Sequence, residues 1–430
     1  MEKVLILGLG KTGLSCVHFF LRKGIVPTVL DTRQNPPGKD ELPVDVTLLC
    51  GPLDVELLTA ADLIVASPGI ALATPALQKA AQAGVEIIGD IELFVREAKA
   101  PVVAITGSNG KSTVTTLVGE MATEAGIAVG VGGNIGTPAL DLLLQSADLY
   151  VLELSSFQME TTHSLHAAVA TVLNLSEDHM DRYAGMDDYL AAKLKIYAGA
   201  GKVLCNRDDA ATRPASGAVW QTFGLDEHSY GRVIQNGKLY LSVAGEAVLA
   251  VDELHIVGAH NQMNALAAMA LCDAVGIARE AQLSVLRRFT GLPHRCQFVR
   301  ECNGVRWIND SKATNVGSTL AAVAGISESV KGKLILIAGG QGKGQDFSPL
   351  QALLGSTIQH MLCFGQDAAV LAKLGAETEI VADLSVAVAR AAELTQPGDW
   401  VLLAPACASL DMFKNFEVRG QQFAALVEAL

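Results

Sequence analysis

The sequence predicts an α/β protein made of three successive domains, and three observations carry that prediction. Half of the 430 residues are hydrophobic and 18% are charged, against roughly a quarter charged in an average soluble protein, so the chain is built to bury surface and is neither disordered nor a coiled coil. Short apolar runs that close on glycine or polar residues alternate with helical patterns, as in parallel sheets covered by helices. That alternation starts afresh at Pro101 and again past Gly291-Leu292-Pro293, where turn residues punctuate the chain. At about 100 to 200 residues per domain, the domains are expected at 1–92, 93–293 and 294–430.

Residues 4–7 (VLIL) read as a first strand, glycines 8, 10 and 13 as the turn into a helix, and 26–30 as a second strand ending in Asp31. This is the opening βαβ unit of a doubly wound sheet, with a GxGxxG fingerprint that brings backbone N–H groups to a diphosphate and an acid to a ribose. Runs at 63–66 and 85–88 continue it. In the second domain VVAIT (102–106) predicts a strand leading through GSNGKST into a helix over 112–125, with further strands at 149–154, 168–173 and 202–205. Residues 220–257 alternate in short segments and predict a small antiparallel sheet; an alanine-rich helix is expected over 261–275. The third set of strands is expected at 305–308, 333–338, 360–364 and 399–403.

A net charge of -13 argues against a nucleic-acid partner. It leaves small anions open, because a phosphate site needs only backbone N–H groups and one or two cations. The eight cysteines include no CxxC pair and read as reduced thiols, which fits a cytoplasmic protein. No run approaches the 18 or so consecutive apolar residues of a membrane span, and the N-terminus lacks the pattern of a signal peptide.

The strongest local signal is Thr106-Gly107-Ser108-Asn109-Gly110-Lys111-Ser112-Thr113, set between an apolar strand and a helix. Backbone N–H groups of such a loop point at a phosphate chain, Lys111 adds a point charge, and Ser112 or Thr113 can ligate Mg²⁺. The spacing departs from GxxxxGK[ST], since only two residues separate Gly107 from Gly110. Glu153 stands late in an apolar strand, where a carboxylate is expensive without a cation; Mg²⁺ is the natural partner beside a phosphate loop. His179 follows another strand and should emerge at the same sheet edge. Lys193 falls at the centre of the apolar arc of its helix, between Tyr189, Leu190, Ile196 and Tyr197, while Lys195 points away. A buried ammonium needs a partner, a shifted pKa or a modification; a lysine whose stem packs on the core while its head reaches water is the plainer alternative.

With these residues the chain resembles the Mur ligase family of peptidoglycan synthesis. The likeness runs through DTR (31–33), SPGI (67–70), GDIELF (89–94), ITGSNGKST (105–113), GGNIG (132–136), LELSSFQ (152–158), EDHMDRY (177–183), AAKLKIY (191–197), HNQMNALAA (260–268), GLPHR (291–295), WINDSKATN (307–315) and ACASLDMFKNFEVRG (406–420). It implies an N-terminal Rossmann-like domain for a nucleotide-sugar, a central P-loop-type ATPase α/β sheet and a C-terminal Rossmann-like α/β domain for an amino acid. It also implies ATP-dependent joining of D-glutamate to UDP-N-acetylmuramoyl-L-alanine through an acyl phosphate, in a cytoplasmic monomer.

The resemblance further implies residue roles. Ser108, Asn109, Gly110, Lys111, Ser112, Thr113 and Val114 would hold the triphosphate, with Lys111 stabilising the transferred group. Ser112, Glu153, His179 and a carbamylated Lys193 would face magnesium, two ions being expected. Asn261, Asn264, Arg295, Asp310 and Lys312 fall on the adenosine side; Lys11, Thr12, Asp31, Thr32, Arg33 and Gly69 on the uridine diphosphate, with Asn134 nearer the sugar and peptide. Thr314, Lys343, Ser409 and Phe416 would meet D-glutamate. The competing readings are a sister ligase that adds another amino acid, which the first and last domains disfavour, and an NAD-dependent oxidoreductase, which leaves ITGSNGKST, Glu153 and the HNxxN helix without a role. A folylpolyglutamate synthetase would share the centre but not the N-terminal nucleotide-sugar domain.

Overall fold

The computed structural model describes residues 3–176, 182–214, 219–327 and 329–430, and among these the strands assemble into three sheets. The first contains β1 (Val4–Leu7), β2 (Thr28–Asp31), β3 (Thr47–Cys50), β4 (Leu63–Ala66) and β5 (Glu86–Ile88), all parallel in the order β3-β2-β1-β4-β5. The order reverses at β1, so the loops after β1 and β4 diverge and open a crevice at the carboxyl edge, where such sheets bind ligands.

The second sheet has nine strands: β6 (Val102–Thr106), β7 (Val129–Gly133), β8 (Leu149–Glu153), β9 (Val169–Val172), β10 (Val203–Asn206), β11 (Gln221–Phe223), β12 (Tyr230–Gln235), β13 (Lys238–Val243) and β14 (Glu246–Ala250). Their order, β14-β13-β12-β11-β10-β9-β6-β8-β7, corrects one expectation. The segments over 220–257 do not close a separate sheet. β11 pairs parallel with β10, and the antiparallel β12–β13 hairpin extends the central sheet outward. Alternation identifies such segments as strands but carries no information about which neighbour they join.

The third sheet is β15 (Gln297–Cys302), β16 (Val305–Asn309), β17 (Leu334–Gly339), β18 (His360–Phe364), β19 (Thr378–Ile380) and β20 (Trp400–Leu403), ordered β15-β16-β20-β17-β18-β19. β15 is the antiparallel edge. The strands the sequence does not announce are β3, β7, β15 and β19. All four are edge strands, outside the fully apolar pattern of central parallel strands, and β7 also reads VGVGG, whose glycines weaken the strand signal.

The chain divides into two compact units: residues 1–249 with 264–285, and residues 250–263 with 286–430. In the first, the two sheets share one apolar core that runs from Ile6, Phe20 and Phe94 to Tyr150 and Leu152; Phe94 meets Tyr150 edge-on at 4.9 Å between ring centroids. In the second, apolar clusters cover both faces of the third sheet, one around Ile308, Leu336 and Leu402, the other around Trp307, Ile337 and Phe423. Among the described residues no helix is long and apolar enough to cross a membrane.

The shared core of the first unit contains two acids with opposite fates. Burial of Glu92 opposes its charge, but the N–H groups of His163 and Ser164, the Ser164 hydroxyl and Arg96 surround the carboxylate and hold its pKa at about 2. Asp90 is 3% exposed, its Oδ1 has no hydrogen-bond partner among the described residues, and burial raises its pKa to about 6. An acid with a raised folded pKa holds its proton more tightly in the fold. Its contribution therefore favours folding below the ordinary carboxylate range and is lost as pH rises through about 6. Asp90→Asn is expected to stabilise the protein by up to about 3 kcal/mol at pH 8 and to be near neutral at pH 4. Urea unfolding at the two pH values checks this, and destabilisation at pH 8 would contradict it.

Candidate functional site

β6 ends at Thr106, and the next four residues turn the chain into the helix Lys111–Glu124. Two glycines make the turn possible. Gly107 has φ +147° and Gly110 φ +81°, a region side-chain-bearing residues rarely adopt, and a Cβ on Gly110 would collide with the Asn264 amide. The loop is clamped from the neighbouring strand: Ser108 N–H donates to the Asn174 carbonyl at 2.9 Å, Asn109 N–H donates to Asn174 Oδ1 at 2.8 Å, and Asn174 Nδ2 donates to the Asn109 carbonyl at 2.9 Å. Asn174 stands directly past the expected strand, yet nothing in the sequence singles it out; its role exists only because β9 lies beside β6.

Charge converges on this turn. Lys111 Nζ donates to the Gly107 carbonyl at 2.8 Å and to that of Ser108 at 3.0 Å. Lys193, 2% exposed on the helix Met186–Leu194, donates to the same Gly107 carbonyl at 2.9 Å and lies 4.7 Å from the Tyr189 ring centroid. Lys195 is exposed, so the helical arc is as the sequence predicts. Glu153 ends β8 and is 2% exposed; its oxygens accept from the Ser112 hydroxyl and from Asn134 Nδ2, both at 2.7 Å. A buried carboxylate met by two neutral donors suits a hard divalent cation, which takes oxygen ligands. His179 lies outside the described residues, and among the described ones no cluster of three or more His, Cys, Asp or Glu could hold a metal.

At the carboxyl edge of the first sheet, Gly8 takes φ +89°, and a Cβ on Gly13 would strike the Gly8 carbonyl, whereas one on Gly10 would meet nothing, so Gly8 and Gly13 are the fingerprint glycines that the turn requires. Asp31 is used within the loop: Oδ2 accepts Leu9 N–H at 2.7 Å, and both oxygens receive the Arg33 side chain at 2.9 and 2.7 Å. The guanidinium outweighs burial, and with the two backbone N–H groups it holds the Asp31 pKa at about 2. Lys11, Thr32, Arg33 and Gly69 are exposed around it and Thr12 is half-buried. Arg182, which the sequence reading passes over, binds the carbonyls of Pro68 and Ile70 at 2.8 and 3.2 Å, pairs with Glu160 at 2.8 Å and stacks on Phe157. It thereby fastens the SPGI turn to the central sheet.

In the second unit, Asp310 follows β16 and is buried beside Cys296, whose N–H it accepts at 3.1 Å; burial, against that N–H and Arg295, raises its pKa to about 6. Lys312 lies 5.4 Å from the Phe416 ring centroid, and burial, then Arg295, lowers its pKa. Thr314, Lys343, Ser409 and Phe416 sit on loops or a helix start at the carboxyl edge of the third sheet. Lys343 holds φ +53°, a conformation costly for a residue with a side chain. Asn261, whose amide donates to the Val257 carbonyl at 2.8 Å, and Asn264 fall in different compact units.

Three family models match successive stretches of the chain: a Mur ligase MurD-like N-terminal domain over 2–89, a Mur ligase middle domain over 105–272 and a Mur ligase glutamate ligase domain over 294–407. The chain is 58% identical over 433 residues to the UDP-N-acetylmuramoylalanine--D-glutamate ligase of Escherichia coli strain K12, covering 100% of this chain and 98% of that protein. The ligase of the same name from Pectobacterium atrosepticum matches equally, at 58% with the same coverage. Among solved structures, the UDP-N-acetylmuramate-alanine ligase of Thermotoga maritima superposes with a TM-score of 0.58 at 18% identity, covering 100% of both chains, which is a likeness of fold.

The turn itself is testable. Gly110→Ala places a side chain at a positive φ, which costs about 1–2 kcal/mol, and against the Asn264 amide. Calorimetric affinity for a non-hydrolysable ATP analogue is expected to fall at least tenfold; unchanged affinity would show that the turn does not hold phosphates.

Proposed function

The chain belongs to the Mur ligase family, and on that premise we propose that it is an ATP-dependent ligase joining D-glutamate to UDP-N-acetylmuramoyl-L-alanine in peptidoglycan precursor synthesis. The observation that carries this reading is identity of 58% along the whole chain to ligases of that name. The geometry of the phosphate turn supports it. Residues 1–92 are assigned the nucleotide-sugar, 93–293 ATP and 294–430 the amino acid.

The reaction has two steps. A carboxylate oxygen of the muramoyl-L-alanine attacks the γ-phosphorus, the bond to the ADP oxygen breaks, and an acyl phosphate forms. The amine of D-glutamate then attacks the acyl carbon, loses a proton, and expels inorganic phosphate as the amide forms. Little covalent work falls to the protein, so placement and charge neutralisation dominate. Ser108 to Val114 cradle the triphosphate, and Lys111, already aimed along the turn by two carbonyls, meets the transferred group. Lys11, Thr12, Asp31, Thr32, Arg33 and Gly69 take the uridine diphosphate and Asn134 the sugar and peptide. Asn261, Asn264, Arg295, Asp310 and Lys312 take the adenosine, and Thr314, Lys343, Ser409 and Phe416 the D-glutamate.

Magnesium fits the donor set around Glu153. Ser112, Glu153, His179 and Lys193 would hold two ions, which supply charge neutralisation along the phosphates when bound. Lys193 reaches that role as a carbamate, in which its nitrogen carries a carboxylate and the buried cation becomes an anion. The reading has the chain work as a cytoplasmic monomer.

Phosphate release from ATP with UDP-N-acetylmuramoyl-L-alanine is expected only with D-glutamate in a panel of amino acids, with a product heavier by one glutamate residue; release with a different amino acid would move the enzyme to a sister step. Lys193→Ala is expected to lose most activity and to regain part of it in high bicarbonate or acetate. Activity equal to wild type would remove the carbamate from the account.

A further inference from the structure

Arg419 lies in the first turn of the helix Phe416–Glu428. It is 0% exposed; among the described residues its hydrogen-bond partners are carbonyl and hydroxyl oxygens, and the Asp411 carboxylate acts on it through space without a hydrogen bond. Nε donates to Ser311 Oγ at 3.0 Å, Nη2 to the Ser311 carbonyl at 2.9 Å, and Nη1 to the carbonyls of Cys407 at 3.1 Å and Gly339 at 3.4 Å. Burial pulls its pKa down to about 10. A guanidinium buried without a carboxylate in its fork is costly, so it persists only where its donors do something a neutral side chain cannot.

These partners are the bases of three loops. Ser311 opens the loop that carries Lys312 and Thr314, Gly339 starts the one that carries Lys343, and Cys407 precedes Ser409. The Ser311 hydroxyl also donates to the Phe416 carbonyl at 2.8 Å, and Gln341 and Ala408 exchange backbone hydrogen bonds at 2.8 and 2.9 Å. Lys343 and Ala406 hold positive φ angles of 53° and 57°, a strain that persists only where the surroundings over-determine it.

We propose that Arg419 is a positioning residue: its fork fixes the loops bearing Thr314, Lys343 and Ser409, with the start of the Phe416 helix, in one register, and so builds the pocket for the acceptor amino acid. The inference rests on the proposed ligase function for the identity of that acceptor. Lysine at 419 keeps the charge but replaces a planar fork by a point donor, and a misplacement of about 1 Å in a binding group costs up to 100-fold.

The test uses the full-length enzyme and two variants, Arg419→Lys and Ser311→Ala, the second a small deletion that leaves the guanidinium in place. Amide hydrogen exchange should show protection lost together in residues 310–316, 339–345 and 406–411 of Arg419→Lys, and the KM for D-glutamate should rise at least tenfold in Arg419→Lys and several-fold in Ser311→Ala. The KM values for ATP and the muramoyl substrate should stay within about twofold, with unfolding temperatures that leave both variants folded at assay temperature. Exchange changes confined to the 416–428 helix, or kcat and every KM moving together, would overturn the inference. A wild-type enzyme inert toward D-glutamate would instead defeat the functional reading, and the exchange experiment would still decide whether Arg419 holds the three loops.

Discussion

Two lysine ammonium groups donate to one backbone carbonyl, that of Gly107, at 2.8 and 2.9 Å. Much of the first unit is arranged around that convergence. One lysine starts the helix after β6 and the other closes the helix after β9, so the contact requires the two strands to be neighbours with their carboxyl ends aligned, as their register makes them. The carbonyl that accepts both belongs to a residue at φ +147°, a conformation that favours glycine. The N–H groups of the helix start, with Lys111 beside them, give this sheet edge the donors a phosphate chain needs. Such a place is matched to a polyanion, and the buried carboxylate of Glu153, on the strand beside β6, provides the counter-site for a divalent cation that travels with phosphates.

Much of this was legible in the sequence. The strand, turn and helix around Gly107 follow from an apolar run that stops at glycine, and the burial of Lys193 follows from helical spacing alone, because both are local patterns. What the sequence withheld is contact between segments distant in the chain. Asn174 clamps the phosphate turn from 65 residues away, and Arg182 secures the SPGI turn from 112 and 114 residues away; polar residues after a strand look alike until the strand order is known. The short strands from 221 onward were recognisable as strands, but their attachment to β10 was not, since alternation sets the faces of a strand and not its neighbour. Arg419 is the clearest case: nothing local in the sequence marks it as buried, and only the meeting of three loops beneath it makes its burial intelligible.

Buried charge is handled in three ways across the molecule, and the differences separate stability from function. Glu92 is surrounded by N–H groups and a guanidinium, so its charge is fully met and it ties the two sheets of the first unit together. Asp90, close by in sequence, is poorly met and relieves the cost by holding its proton to about pH 6. Lys193 and Arg419 both donate to backbone carbonyls at sheet edges, Lys193 beside the Tyr189 ring and Arg419 in the field of Asp411.

In the proposed reaction the carboxylate of the muramoyl substrate is activated by phosphorylation at the Gly107 turn before the amine attacks. Oxygen-18 placed in that carboxylate tests it most directly, because the acyl phosphate breaks at the carbon–oxygen bond. One labelled oxygen is expected in each inorganic phosphate released with D-glutamate, read by mass spectrometry; phosphate free of label would rule out the acyl phosphate.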